Sequence, residues 1–247
     1  MRKSFLIFGL TAVMFVAAAN GLADDNAQAW HGEVAFGLSL AKGNSDTFLM
    51  NASALAHREW PQNELKLGAD GNYGLNNFGR SNETQSANNI HGFVDYKRLF
   101  TERFYGNLRI DGFHDDVAEV RYRVIVGPAA GYYFIKSELS RLSGEVGPSF
   151  IEERLNGLND HGYLTLRVTE RGEHSFNKAG KVWEQVDFLP QIDDFNHYLL
   201  NLELGAEAAL NTRLSLRVVA ADKYNSNPAP GRKNNDISLV SALVYKY

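Results

Sequence analysis

The chain has 247 residues and no cysteine, which excludes a disulfide framework and any thiolate metal site. It also lacks a positive excess: 25 Lys and Arg stand against 29 Asp and Glu, a formal net charge of −4. With no basic arm or stripe, nucleic acid is not an expected partner. No apolar run reaches the ~20 residues of a membrane-spanning helix. The nearest, residues 5–19, follows Arg2 and Lys3 and precedes the small residues Gly21 and Ala23. That is the pattern of a secretory signal peptide, residues 1–23, cut before Asp24. Ala27-Gln28-Ala29 offers a second cut farther from the run. Losing Arg2 and Lys3 takes the net charge from −4 to −6. Residues 24–247 then form one domain that is either soluble or a barrel.

Helical periodicity is equally scarce, and period-two alternation takes its place. Val34, Phe36, Leu38 and Leu40 share one parity, with Glu33, Ala35, Gly37 and Ser39 opposite. Leu200, Leu202, Leu204 and Ala206 oppose Asn201, Glu203 and Glu207 in the same way. The segment with Val182, Val186 and Phe188 is the least regular, since Glu184 sits on its apolar parity. Turn clusters separate about twelve such segments, an even number suited to an outer-membrane barrel. Connections near Pro61, Thr101, Ser137, Lys178 and Thr212 are short, while those near Asn77, Gly157 and Pro230 are longer. Short periplasmic turns and longer outer loops belong to the same architecture. Aromatics such as Tyr73, Tyr96, Tyr132, Phe134 and Tyr198 gather where the apolar faces end, and a bilayer places amphipathic rings at headgroup level.

The predicted fold is therefore all-β: a closed antiparallel up-and-down transmembrane barrel in the bacterial outer membrane. Its last segment, residues 236–247, ends in Leu243, Tyr245 and Tyr247 on one face. These residues resemble the C-terminal assembly signal read by the barrel-assembly machinery. Pairing that segment with the first strand removes both sheet edges. A soluble periplasmic binding module is the alternative.

With apolar residues toward lipid, the opposite parity lines a lumen. Arg109, Arg121, Arg123, Arg141 and Arg167 form a basic wall, and Glu64, Asp70, Asp187, Glu203 and Glu207 an acidic one. Opposed charged walls select ions and orient polar solutes, so a narrow channel favouring small anionic solutes is expected. The competing expectation is a salt-bridged ladder that closes the lumen, because unpaired buried arginines are costly. A third reading is enzymatic. A hairpin around residues 100–102 brings Asn88 nearly opposite His114, with Ser86 diagonal to both, a Ser–His–Asn set suited to lipid hydrolysis. The acidic loop pairs Asp115-Asp116 and Asp193-Asp194 suit bridging of divalent cations to lipopolysaccharide phosphates. The histidines show no metal-ligand spacing, so neither a metal nor a cofactor is expected.

Three stretches carry a family resemblance: Gly32-Glu-Val-Ala-Phe-Gly-Leu-Ser-Leu-Ala-Lys-Gly-Asn-Ser-Asp-Thr47, Gly127-Pro-Ala-Ala-Gly-Tyr-Tyr133 and Gly144-Glu-Val-Gly-Pro-Ser-Phe150. Residues 31–247 resemble the YdiY-like family of salt-induced outer-membrane proteins, whose domain has no assigned function. The resemblance implies an outer-membrane barrel with a link to salt or osmotic stress, and brings no catalytic residues.

Overall fold

The computed structural model describes residues 29–43, 46–176 and 180–247. The expected signal segment and most of the turn at residues 177–180 lie outside them. Twelve strands follow one another: β1 (His31–Ala41), β2 (Thr47–Trp60), β3 (Asn63–Asn76), β4 (Thr84–Leu99), β5 (Phe104–Asp115), β6 (Val120–Lys136), β7 (Ser140–Leu155), β8 (His161–Phe176), β9 (Gly180–Pro190), β10 (Tyr198–Ala209), β11 (Leu214–Asn225) and β12 (Asn235–Lys246). Each pairs with its neighbours in sequence, and β12 pairs with β1, so the sheet is a closed barrel.

Burial shows which way each parity points. Leu204 is 61% exposed on the outside, whereas Glu207 on the other face of the same strand is 6% exposed. Phe36, Leu38, Leu164, Leu216 and Leu243 are likewise exposed, while Asp95, Lys97, Asp111, Glu145 and Arg167 are buried within. This is the reverse of a soluble core and the arrangement of a barrel immersed in hydrocarbon. Aromatic pairs mark the ends of the apolar belt. Tyr132 and Phe134 meet edge-to-face at one end, and Tyr198 stacks on Tyr224 at the other. Arg58 lies over both Trp30 and Trp60 beside the short β2–β3 turn.

The closing seam is shorter than the rest. β1 and β12 are in register only from Glu33↔Lys246 to Phe36↔Leu243, extended by reciprocal Gly32–Tyr247 backbone bonds of 3.2 and 3.0 Å. On its other side β1 pairs with β2 along its full length. Ala35, Ala242 and Val244 pack together inside the seam. Gly37 admits Ser241 so closely that a Cβ there would lie 2.0 Å from the Ser241 carbonyl oxygen. In hydrocarbon the seam's unpaired outer half is its weakest part. Hydrogen exchange in a bilayer mimetic should therefore find the amides of Leu38, Leu40 and Leu239 less protected than those of Val146 and Leu166. Equal protection would show that the seam zips completely.

Candidate functional site

The lumen is the place where chemistry-bearing side chains converge, and neighbouring strands match its charges. Arg109 on β5 donates to Asp111 at 2.8 Å and to Asp95 on β4 at 3.4 Å. His91 joins the same cluster, with Nδ1 2.8 Å from Asp70 and Nε2 3.1 Å from Asp111. Arg123 on β6 reaches Glu153 on β7 at 2.6 Å. Arg167 on β8 meets Asp187 on β9 at 3.4 Å, and Thr169 donates to the same carboxylate. Near the end of β12, Arg217 bridges Glu33 at 2.7 Å and Glu207 at 2.6 Å, and Lys246 also contacts Glu207.

Other contacts reach past the adjacent strand. Lys97 on β4 pairs with Glu145 on β7 at 2.7 Å, and the Tyr105 hydroxyl donates to the same carboxylate. Tyr133 on β6 donates to Glu64 on β3. Arg141 on β7 faces Glu59 on β2 at 3.7 Å, across one mouth of the barrel. Lys223 on β11 sits 5.7 Å from the Phe113 ring on β5, a cation–π contact across the lumen. Phe113 and Tyr163 pack on an inward apolar cluster of Ile125, Ile151, Leu189 and Leu199.

The predicted walls are therefore partly rearranged. Arg109, Arg123 and Arg167 face the lumen, each neutralised by a carboxylate. Arg141 lies exposed at the mouth. Arg121 is not on the lumen wall. A register shift between Val120 and Tyr122 displaces it, Val120 turns inward against Leu155 and Ala229, and Arg121 is left exposed. Of the acidic residues, Glu64, Asp70, Asp187 and Glu207 hold the partners named above, whereas Glu203 is exposed to the lumen and accepts a bond from Trp183 Nε1 at 2.6 Å.

The Ser86–His114–Asn88 set does not assemble. The β4–β5 register puts His114 opposite Ile90, not Asn88. Both imidazole nitrogens are engaged, Nδ1 2.8 Å from the Arg121 carbonyl and Nε2 3.2 Å from Asp116. Asn88 donates to Asp116 as well, and Ser86 lies beside Gly74 on the far side of β4. Among the described residues no group of three or more His, Asp or Glu is arranged to hold a metal.

Which ring each inward glycine receives is not legible in the sequence. Trp183 lies flat over Gly205, where a Cβ would fall 2.0 Å from the indole, and Tyr105 lies over Gly131 at 2.3 Å. An inward ring opposite a glycine on the next strand hugs the wall instead of crossing the bore. Only strand register reveals the pairing.

One mouth is strapped. The β11–β12 loop, residues 226–234, crosses toward the β5–β6 connection, where Arg232 pairs with Glu119. Ala229 of the loop is 2% exposed, packed on Val120 and Leu155. Glu119 adopts a left-handed φ of 58°, and its carbonyl accepts a bond from the Asn156 amide at 2.8 Å. Beneath the strap lies a cavity of about 110 Å³ whose lining includes Glu153, Tyr163, Gln191, His197 and Asn227. At a neighbouring loop, Arg80 bonds Asp46 at 2.6 Å and holds its carboxyl below the usual carboxylate range. This contact is present at neutral pH and is lost as pH falls through that lowered value.

The matching family of proteins of unknown function, DUF481, covers residues 34–247, nearly the whole described barrel. The chain belongs to that family. No curated protein matches it. Among solved structures, the NanC porin superposes with a TM-score of 0.54 at 8% identity, covering 87% of this chain and 98% of that one. The translocator domain of autotransporter NalP from Neisseria meningitidis gives 0.48 at 10% identity, covering 90% and 89%. The KdgM porin gives 0.46 at 8% identity, covering 89% and 98%. At such identities the likeness to NanC is one of fold: a DUF481 chain folded as an outer-membrane-type barrel.

The Lys97–Glu145 pair is the clearest lumen contact to test. Lys97→Met alone leaves a buried carboxylate without its cation and should cost roughly 3–5 kcal/mol of barrel stability. Adding Glu145→Gln should recover much of that loss. Urea unfolding from detergent or lipid vesicles measures both; equal stability of single and double variants would contradict the pairing.

Proposed function

We propose that this DUF481 barrel is a narrow outer-membrane channel for small polar solutes, strapped at its outer mouth by the β11–β12 loop. The observation that carries this reading is solvent exposure inside the wall: Glu203, Lys223, Asp236 and Ser238 face inward and are nonetheless exposed. Water therefore reaches the β10–β12 side of the lumen, while the charges of β4 to β9 are largely tied to one another. The Trp183 ring folds against Gly205, whereas Tyr105 is fully buried among Lys97, Glu145 and Tyr133 on the braced side. Because Arg109, Arg123 and Arg167 are neutralised, selection for anions is weak, and polarity and size govern passage.

The inward apolar cluster and the Lys223–Phe113 contact favour a second reading, a structural barrel whose lumen is closed. Conductance separates the two. In planar bilayers the wild-type protein should show small, steady unitary steps. Gly205→Val, which drives the Trp183 indole into the bore, should lower them severalfold. Loss of the Arg232–Glu119 latch through Arg232→Ala should raise open probability. An exposed latch of this kind is weakened by salt screening, so open probability of the wild type should rise with ionic strength and that of Arg232→Ala should not. This is the form a salt-linked role would take. Silence of all three proteins would favour the closed barrel.

A further inference from the structure

The outer wall of β7 to β9 breaks the rule that the rest of the belt obeys. Glu170 and Glu184 point outward and are exposed. Glu170 lies opposite Gly144 on β7 and Val186 on β9. Glu184 lies opposite Gly172 on β8 and Leu204 on β10. Their outward neighbours Val146, Val168, Val182 and Leu204 are exposed apolar residues, so both carboxylates sit within the apolar belt. A carboxylate facing acyl chains is unfavourable in proportion to its depth. The surface around them is also flat: the Glu184 side chain lies over Gly172, with a carboxylate oxygen 2.8 Å from where a Cβ would be. Beside them, Ser140 Oγ lies 2.8 Å from His174 Nδ1, which leaves His174 Nε2 facing outward without a partner among the described residues.

We propose that this face is an interface between two copies of the chain, related by a two-fold axis along the membrane normal. Such rotation keeps every residue at its own depth and joins a patch to itself. The patch meets that requirement. His174 lies opposite Val182, two register pairs from Glu184↔Gly172 toward the β8–β9 turn, so across the two-fold axis it sits roughly 7 Å along the strand from the partner's Glu184, a gap that the two extended side chains span. Each imidazole then serves a carboxylate of the other protomer away from lipid, the contact shields the second carboxylate from acyl chains, and Gly144 and Gly172 let the two walls approach. A head-to-tail ring would need a basic group at the same depth elsewhere on the belt. The outward arginines are instead engaged at strand ends: Arg58 over Trp30 and Trp60 and Arg98 on Asn63 beside a short turn, with Arg121 and Arg154 beside the longer loops. This inference rests on the membrane orientation of the barrel and is independent of whether the lumen conducts.

Because the chain has no cysteine, single substitutions report cleanly. In native membranes Val186→Cys should form a disulfide-linked dimer on oxidation, and Ala54→Cys on β2, across the barrel from β8, should not. The protein purified in mild detergent should have the mass of two protomers. Glu170→Leu and Glu184→Leu should each weaken the dimer by about tenfold while the barrel keeps its heat-modifiable mobility, which shows that it is folded. A single-protomer mass with no Val186→Cys crosslink would overturn the proposal. So would a crosslink to a different protein, or leucine variants that dimerise as well as the wild type.

Discussion

A polypeptide that crosses hydrocarbon must satisfy its backbone N–H and C=O groups from within, and every other feature of this barrel follows from that constraint. The ladder from β1 through β12 meets it by closing on itself. Closure divides the side chains by parity, and the two faces then obey different physics. Outside, transfer from water favours leucine, valine and aromatic rims. Inside, where the wall excludes lipid, charge is tolerated if it finds a partner. The seam between β1 and β12 is where the constraint is met least completely, with four register pairs and one further Gly32–Tyr247 contact.

The interior shows how a small barrel handles charge. On β4 to β9, arginines, lysines and carboxylates from adjacent strands neutralise one another, and Lys97–Glu145 and Tyr133–Glu64 brace the wall across intervening strands. On β10 to β12, Glu207 is likewise tied to Arg217 and Lys246, but Glu203, Lys223 and Asp236 remain in contact with water. The lumen is thus asymmetric: on one side its charges are tied to one another, and on the other several are open to water. A strap held by Arg232–Glu119 and by Ala229 in its apolar seat lies across one mouth.

Much of this was legible in the sequence, because a period of two needs no knowledge of partners. The strand count, the outward identity of residues such as Leu204 and Phe36, and the inward placement of Arg109, Arg123 and Arg167 all follow from alternation. Register did not follow. Shifts at Gly74/Leu75, Val120/Tyr122 and Tyr133/Ile135 each break the parity count locally. The shift at Val120/Tyr122 removed Arg121 from the lumen. The true β4–β5 pairing separated His114 from Asn88 and Ser86. Contacts such as Lys223 with Phe113 join strands far apart in sequence, where no local pattern can point. The departure of Glu184 from its strand's apolar parity was visible at once, but its meaning needed Glu170 and Gly172 beside it.

Orientation underlies all of this, with water on one parity and lipid on the other along the same strand. Cysteine scanning of β10 tests that directly, since the chain has no native thiol. A charged, membrane-impermeant thiol reagent should modify cysteines placed at Asn201 and Glu203 in intact vesicles. It should leave those at Leu202 and Leu204 untouched, and a lipid-soluble maleimide should do the opposite. Modification of Leu202 and Leu204 by the charged reagent, or protection of Glu203 from it, would contradict a water-filled lumen within a lipid-facing wall.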